Sequence, residues 1–188
     1  MANFDVTKFR TALDGGGARP TLFSVEISAV SFNGGVFVTS GGATDKLRFT
    51  CKAATIPPRT MGTIEVPFYG AKIKVPGDRT YPEWTVTVIN DEDFLVRDWM
   101  ENWANLINDA KLNLRVPPAG NSPSSYKCQG FVTQYSKTGE SLRRYRFDGM
   151  FPSEVGTIDL SWETTDTLEE FPVTFQYDFW EVEDVGIS

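Results

Sequence analysis

The sequence predicts a mainly β domain, an antiparallel β-sandwich or barrel with one flanking α-helix. Three observations predict it. Apolar and polar residues alternate through many short runs; in the clearest, Trp84, Val86 and Val88 face one way and Thr85, Thr87 and Ile89 the other. One stretch, about residues 92–110, carries apolar residues at helical spacing: Leu95, Trp99, Trp103, Leu106 and Ala110. Glycine- and proline-rich turns punctuate the rest. The 188 residues suit one domain, and a hydrophobic share of 40% with 14 Phe and 5 Trp is enough to fill its core.

Along the chain, residues 1–20 read as an N-terminal arm with a short helix-like piece, VTKFRTALD, before a glycine hinge. TLFSVEISAV is a strand with Phe23, Val25 and Ile27 on one face. Residues 33–45 form a glycine-rich loop or hairpin. LRFTCKAAT alternates again, with Leu47, Phe49, Cys51 and Ala53 inward. MGTIEVPFYGAKIKV reads as two arms joined near Tyr69-Gly70, and Pro67 demotes it to an exposed edge. Val75-Pro76-Gly77-Asp78 has turn chemistry. The helix follows, with Asn90 or Asp91 as its cap and Asp91, Glu92 and Asp93 favoured by its dipole. YKCQGFVTQYS and SLRRYRFDGMFP flank a turn at Gly139, FPSEVG is a turn and TIDLSW a short strand. FPVTFQYDFWEV closes the domain as one long strand, with Phe171, Val173, Phe175, Tyr177 and Phe179 on a single face.

The composition argues against catalysis. With no histidine, Ser-His and Cys-His nucleophile pairs are excluded, as is any histidine metal site. Cys51 and Cys128 are too few for a thiolate zinc site or a disulfide framework and read as buried thiols. DGGGARP lacks the Gly-Lys-Ser/Thr of a phosphate loop. No catalytic residue, metal or cofactor is expected. A net charge of −7 opposes a nucleic-acid-binding role, and Arg144 and Arg146 read as a solvated or subunit-contacting strand face. No apolar run approaches the ~18 residues of a membrane helix, and the first residues lack the apolar core of a secretory signal.

The segments GDRTYPEWTVTVINDE, FTCKAATIPP, GMFPSEVG and FPVTFQYDFWE, in the order in which they occur, resemble the tail tube protein of contractile-tailed (myovirus-type) bacteriophages. The likeness runs from about Arg19 to Glu181. It implies one tail-tube-like domain assembling into hexameric rings that stack into a hollow conduit for genome delivery. Sheets of neighbouring subunits would join edge to edge, the Trp84–Asn90 strand meeting the core on one face and the lumen or a neighbour on the other. The implied partners are the chain itself and the tail sheath, baseplate hub, tape measure and tail terminator proteins. DNA would pass through the lumen without specific binding, and no membrane is involved. The implied location is the virion tail, assembled in the host cytoplasm. Residues 33–45 then look like an inserted loop and residues 182–188 like an acidic C-terminal extension.

On this reading the hairpin around Tyr69 projects from the barrel toward the next ring. Arg59, Tyr69, Lys72 and Lys74 are its contact candidates, the cations meeting carboxylates there, and Leu95, Trp99, Trp103 and Leu106 are the core face of the helix. An inner tube protein of a contractile injection system that delivers protein effectors is the alternative. A β-sandwich module binding carbohydrate or another ligand through exposed Trp and Tyr is a weaker third reading, and an enzyme is weaker still.

Overall fold

The computed structural model describes residues 5–13, 16–28, 30–32, 35–37, 42–114 and 125–183. In chain order these form α1 (Val6–Ala12), β1 (Phe23–Ile27), β2 (Val30–Phe32), β3 (Gly35–Phe37), α2 (Ala43–Thr50), β4 (Cys51–Ala54), β5 (Thr60–Phe68) and β6 (Ala71–Thr80). They continue with β7 (Trp84–Ile89), α3 (Leu95–Ile107), β8 (Cys128–Tyr135), β9 (Ser141–Val155), β10 (Glu170–Gln176) and β11 (Phe179–Glu183). The main sheet runs β1-β8-β9-β10-β7-β4, with β11 also on β9, and all of its pairings are antiparallel.

Strand β9 joins two half-sheets. Its first part lies between β8 and β11, with Arg146 opposite both Phe131 and Glu181. Its last part pairs with β10, Phe151 opposite Gln176 and Val155 opposite Val173. At the crossover, Gly149 has φ +69°, and a Cβ there would sit 2.1 Å from an Asp178 carboxylate oxygen. Only glycine fits both the backbone and the space.

The core lies on the inner side of the sheet, under α3. Trp84 of β7 stacks on Phe147 of β9 at 4.4 Å between ring centroids and 10° between planes, and Phe175 of β10 lies 5.5 Å from Trp84. Helix α3 adds Trp99 and Trp103, and the Trp103 indole N–H donates to the Tyr126 carbonyl at 2.9 Å. The buried stripe of α3 is Val96, Trp99, Met100 and Trp103, a spacing of three, four and seven that places all four on one side. Leu95 and Leu106 pack only at its margins.

Several elements differ from the sequence expectation. Helix α3 spans Leu95–Ile107, and Ala110 lies beyond it, exposed. Its N-cap is Phe94, in a left-handed conformation with no side-chain cap bond. Asp93 accepts the Leu95 N–H, Asp91 accepts that of Glu92, and the Asn90 amide donates to Glu169. The alternating run Leu47–Ala53 is helix up to Thr50, so Phe49 is 83% exposed while Ala43 and Leu47 are buried. Ala43, Leu47 and Cys51 are spaced by four, so burying Ala43 and Leu47 on a helical face outweighs burying Phe49. Val75–Asp78 is not a turn; it lies inside β6, opposite a bulge at Met61/Thr63. FPSEVG continues β9 as far as Val155, and TIDLSW is an exposed loop.

The last strand is two strands. β10 ends at Gln176 and β11 begins at Phe179, where the alternation changes phase: Trp180 is buried and Phe179 is not. β7 lies between β10 and β4 and is not an edge. The N-terminal arm contains α1, with Asp5 capping the Thr7 N–H. Val182 and Glu183 belong to β11, paired with Tyr145 and Arg144, so they are not part of an extension. Residues 184–188, and residues 33, 34 and 38–41 of the glycine-rich loop, lie outside the described residues.

Trp103→Ala is expected to cost ~3–5 kcal/mol of stability, whereas Phe49→Ser, at an exposed helical position, is expected to change it by no more than about 0.5 kcal/mol. Urea unfolding of both variants tests the core and the helical assignment of α2 together.

Candidate assembly surfaces

Strands β5 and β6 form a sheet of their own, pairing with no other strand among the described residues. Their turn is Tyr69-Gly70, with φ +45° and +84°. Positive φ at both positions is the tight two-residue turn whose twist matches the strands it joins. Ile64 opposes Val75, Val66 opposes Ile73 and Phe68 opposes Ala71. The alternate face pairs Glu65 with Lys74 and Pro67 with Lys72. The hairpin is therefore amphipathic, yet Ile64, Val66, Phe68, Ile73 and Val75 are all exposed. A two-stranded ribbon with an uncovered apolar face is marginal in water on its own.

The four residues expected at a contact play different parts. Arg59 is engaged within the chain: its guanidinium carbon lies 3.9 Å from the Trp180 ring centroid, and Nη2 donates to the Trp180 carbonyl at 3.1 Å. It fastens the base of the hairpin to β11. Lys72 pairs with Glu65 at 2.7 Å, an exposed bond of little weight. Lys74 has no ion pair with a described residue. Tyr69 stands at the tip, 97% exposed, edge-on to Phe68. The larger feature is the apolar ladder, for which the signal in the sequence is the period of two in both arms.

A second surface is the half-sheet β1-β8-β9-β11. One face enters the core through Val25, Val132, Phe147 and Trp180. On the other, Glu26, Phe131, Arg146 and Glu181 form one row across the strands, and Ser24, Thr133, Arg144 and Glu183 the next. Arg146 binds Asp148 at 2.8 Å and Glu183 at 2.9 Å, and also Glu181. The hydrogen bonds that Arg146 donates to Asp148 and Glu183, Asp148 first, raise its already high pKa. Arg144 lies over the Phe131 ring at 4.1 Å and reaches Glu183 at 3.5 Å and Glu26 at 3.8 Å. Glu26 is also reached by Arg48 of α2 at 3.3 Å, so four carboxylates meet three arginines, which leaves carboxylate in modest excess. Among the described residues, no strand pairs with the outer edges of β1, β11 or β4.

Among the described residues, no group of His, Cys, Asp or Glu could hold a metal, and no helix is long and apolar enough to cross a membrane. Burial pushes the Cys51 thiol up to about 12 and raises that of Cys128 as well, so neither is a thiolate at neutral pH.

The family model for the phage tail tube protein matches residues 18–183. The chain belongs to that family. Tail tube protein gp19 of Enterobacteria phage T4 is 33% identical to it over 178 residues, 94% of this chain and 98% of the relative. The tail tube protein of Serratia phage KSP90 is 26% identical over 92% of this chain and 93% of its own. Among solved structures, the sheath-tube complex of an extracellular contractile injection system in its extended state contains a chain with TM-score 0.58 and 14% identity, with 97% and 100% of the two chains covered. A chain from the anti-feeding prophage baseplate gives TM-score 0.59 at 8% identity, with coverage of 90% and 97%. These chains share the fold at low sequence identity.

Within this tail tube protein, the two helices are clasped by Lys46 of α2, whose Nζ lies 2.6 Å from Asp91 and 2.5 Å from Asp93, just before α3. Hydrogen bonding to Lys46 holds both carboxyls below the usual aspartate range, and the same bonds raise the lysine. Lowered carboxyls contribute stability at pH above their ordinary value of ~4 and lose it as pH falls through their depressed values. Lys46→Met is therefore expected to reduce the drop in melting temperature between pH 7 and pH 3. Circular dichroism melts check this, and an undiminished drop overturns the clasp.

Proposed function

We propose that the chain assembles into six-membered rings that stack into a hollow tail tube, a passive conduit for the phage genome without enzymatic activity. The observation that carries this reading is a four-stranded sheet, β1-β8-β9-β11, with a sealed core face, a charged face and outer strands that lack partners among the described residues. An unpaired edge is ordinarily an aggregation hazard. Here β11 of one copy and β1 of the next would continue the sheet, and rotation between copies would close the ring. The charged face would then line the lumen. Its carboxylates, Glu26, Asp148, Glu181 and Glu183, outnumber Arg144 and Arg146, so phosphate is repelled and DNA slides without specific binding.

The hairpin β5–β6 supplies stacking: covering its apolar ladder by a neighbouring ring removes that surface from water. Tail sheath, baseplate hub and tail terminator are the partners of such a tube in the virion tail. A tape measure protein occupies the lumen before DNA, and assembly takes place in the host cytoplasm. Residues 1–20, 33–45 and 184–188 are an arm, an insertion and an extension on the single domain. The 33% identity to phage tail tube proteins favours genome over protein effectors as cargo.

Negative-stain microscopy with sedimentation of the purified protein tests the reading: rings or tubes at high concentration are expected, and a strictly monomeric chain, even with tail nucleating complexes added, overturns it. Val66→Asp with Ile73→Asp is expected to leave the circular dichroism spectrum unchanged and to abolish tubes. Lys72→Glu with Lys74→Glu is expected to weaken tube growth most at low salt, where unscreened charges act furthest. Normal tubes from the apolar double variant would exclude the hairpin from stacking.

A further inference from the structure

We infer that α1 of one copy docks on the β9–β10 loop of a second copy, making a head-to-tail contact separate from the hairpin and the sheet edges. The inference rests on the self-assembly reading above. Val6, Phe9 and Leu13 are spaced by three and four and share one face of α1, yet all three are exposed and the helix buries nothing. A seven-residue helix is too short to hold itself in water without a surface to pack on. The loop of residues 157–168 presents the matching feature. Leu160, Trp162 and Leu168 are exposed, Trp162 completely. Leu160 and Leu168 help to line an open, mostly polar depression of about 340 Å³, together with Thr164, Thr167, Glu169 and Glu170. A large aromatic standing free beside apolar neighbours is the residue type that anchors interfaces.

Charge selects between occupants. Helix α1 carries Lys8 and Arg10, Arg10 bordering the apolar face, with its one adjoining described acid, Asp5, turned to the helix N-terminus as the cap of Thr7. The loop carries Asp159, Glu163 and Asp166 and no base. Two loops, or two copies of α1, would bring like charges together, whereas α1 against the loop brings opposites together.

Position selects between the chain's own loop and a neighbour's. The segment after α1 is anchored where β9 begins: Leu22 accepts the Tyr135 N–H at 2.9 Å, and Arg19 and Leu22 line a small cleft with Ser136, Lys137 and Leu142. The loop leaves the far end of β9, a strand of fifteen residues whose contour is at most about 50 Å at ~3.3 Å per residue. Complementary patches at opposite ends of one molecule propagate from copy to copy.

The test mixes two full-length chains of distinguishable mass, one carrying Phe9→Cys and the other Trp162→Cys, at a concentration where microscopy shows assembly, under mild oxidation. The parent is the control, since burial holds back Cys51 and Cys128. The expected result is a covalent dimer of one chain of each kind, in excess over either homodimer. It is lost when the Phe9→Cys chain also carries Lys8→Glu and Arg10→Glu, and regained when its partner carries Glu163→Lys and Asp166→Lys. Rings or tubes with no mixed dimer, or with homodimers alone, overturn the docking and leave the assembly reading standing. A parent chain that stays monomeric overturns both.

Discussion

The stack of Trp84 on Phe147 is the contact on which the rest of the molecule depends. Trp84 belongs to the half-sheet that ends at β4, and Phe147 lies in the part of β9 flanked by β8 and β11. Their parallel rings clamp the two halves face to face across the interior. Phe175 continues the stack, and Trp103 touches Phe175 at 6.2 Å, so α3 is seated on the same aromatic column. The column also limits its neighbours. A Cβ at Gly130 of β8 would meet the Met150 sulfur at 2.8 Å and the Trp84 ring at 3.4 Å. Strand β8 can pass over the rings only because that position is bare.

Because the apolar content of the main sheet is gathered on this inner side, what remains at the perimeter is unsatisfied in one chain. The outer edges of β1 and β11 offer backbone groups, the hairpin offers an apolar ladder, and α1 and the β9–β10 loop offer apolar side chains of opposite charge context. A monomeric protein would ordinarily cover or interrupt such features. Here they are distributed around one domain, so each can meet a different neighbour.

The charged face follows a different logic. Ion pairs on a strand surface add little stability singly, but those around Arg144 and Arg146 join β1, β9 and β11 in a network and hold the guanidinium groups inside the sheet. Among the described residues, the face keeps its acidic balance and presents no free basic cluster. Two of the three arginines of SLRRYRFDG are neutralised: Asp148 of the same segment binds Arg146, while the other carboxylates come from strands more than thirty residues away in sequence, or more than a hundred for Glu26.

The period of two in Trp84–Ile89 and in both arms of the hairpin, the three-and-four spacing of Trp99 and Trp103, and the Tyr69-Gly70 turn are local patterns, and the sequence alone determined those elements. It also determined that the chain has no histidine-based chemistry, and its segment order carried the family likeness. Tertiary structure decided what depends on partners distant in sequence. Leu47–Thr50 fits either period, and only the surface that buries Ala43 and Leu47 makes it helical and leaves Phe49 in water. Phe171–Val182 alternates almost unbroken, and only the passage of β9 from one half-sheet to the other splits it at Tyr177-Asp178 and reverses its phase. Arg59 reads as a free cation until Trp180 is folded beneath it. The division is physical: periodicity and turn chemistry act over a few residues, whereas edges, exposed faces and ion partners exist only once distant strands are packed together.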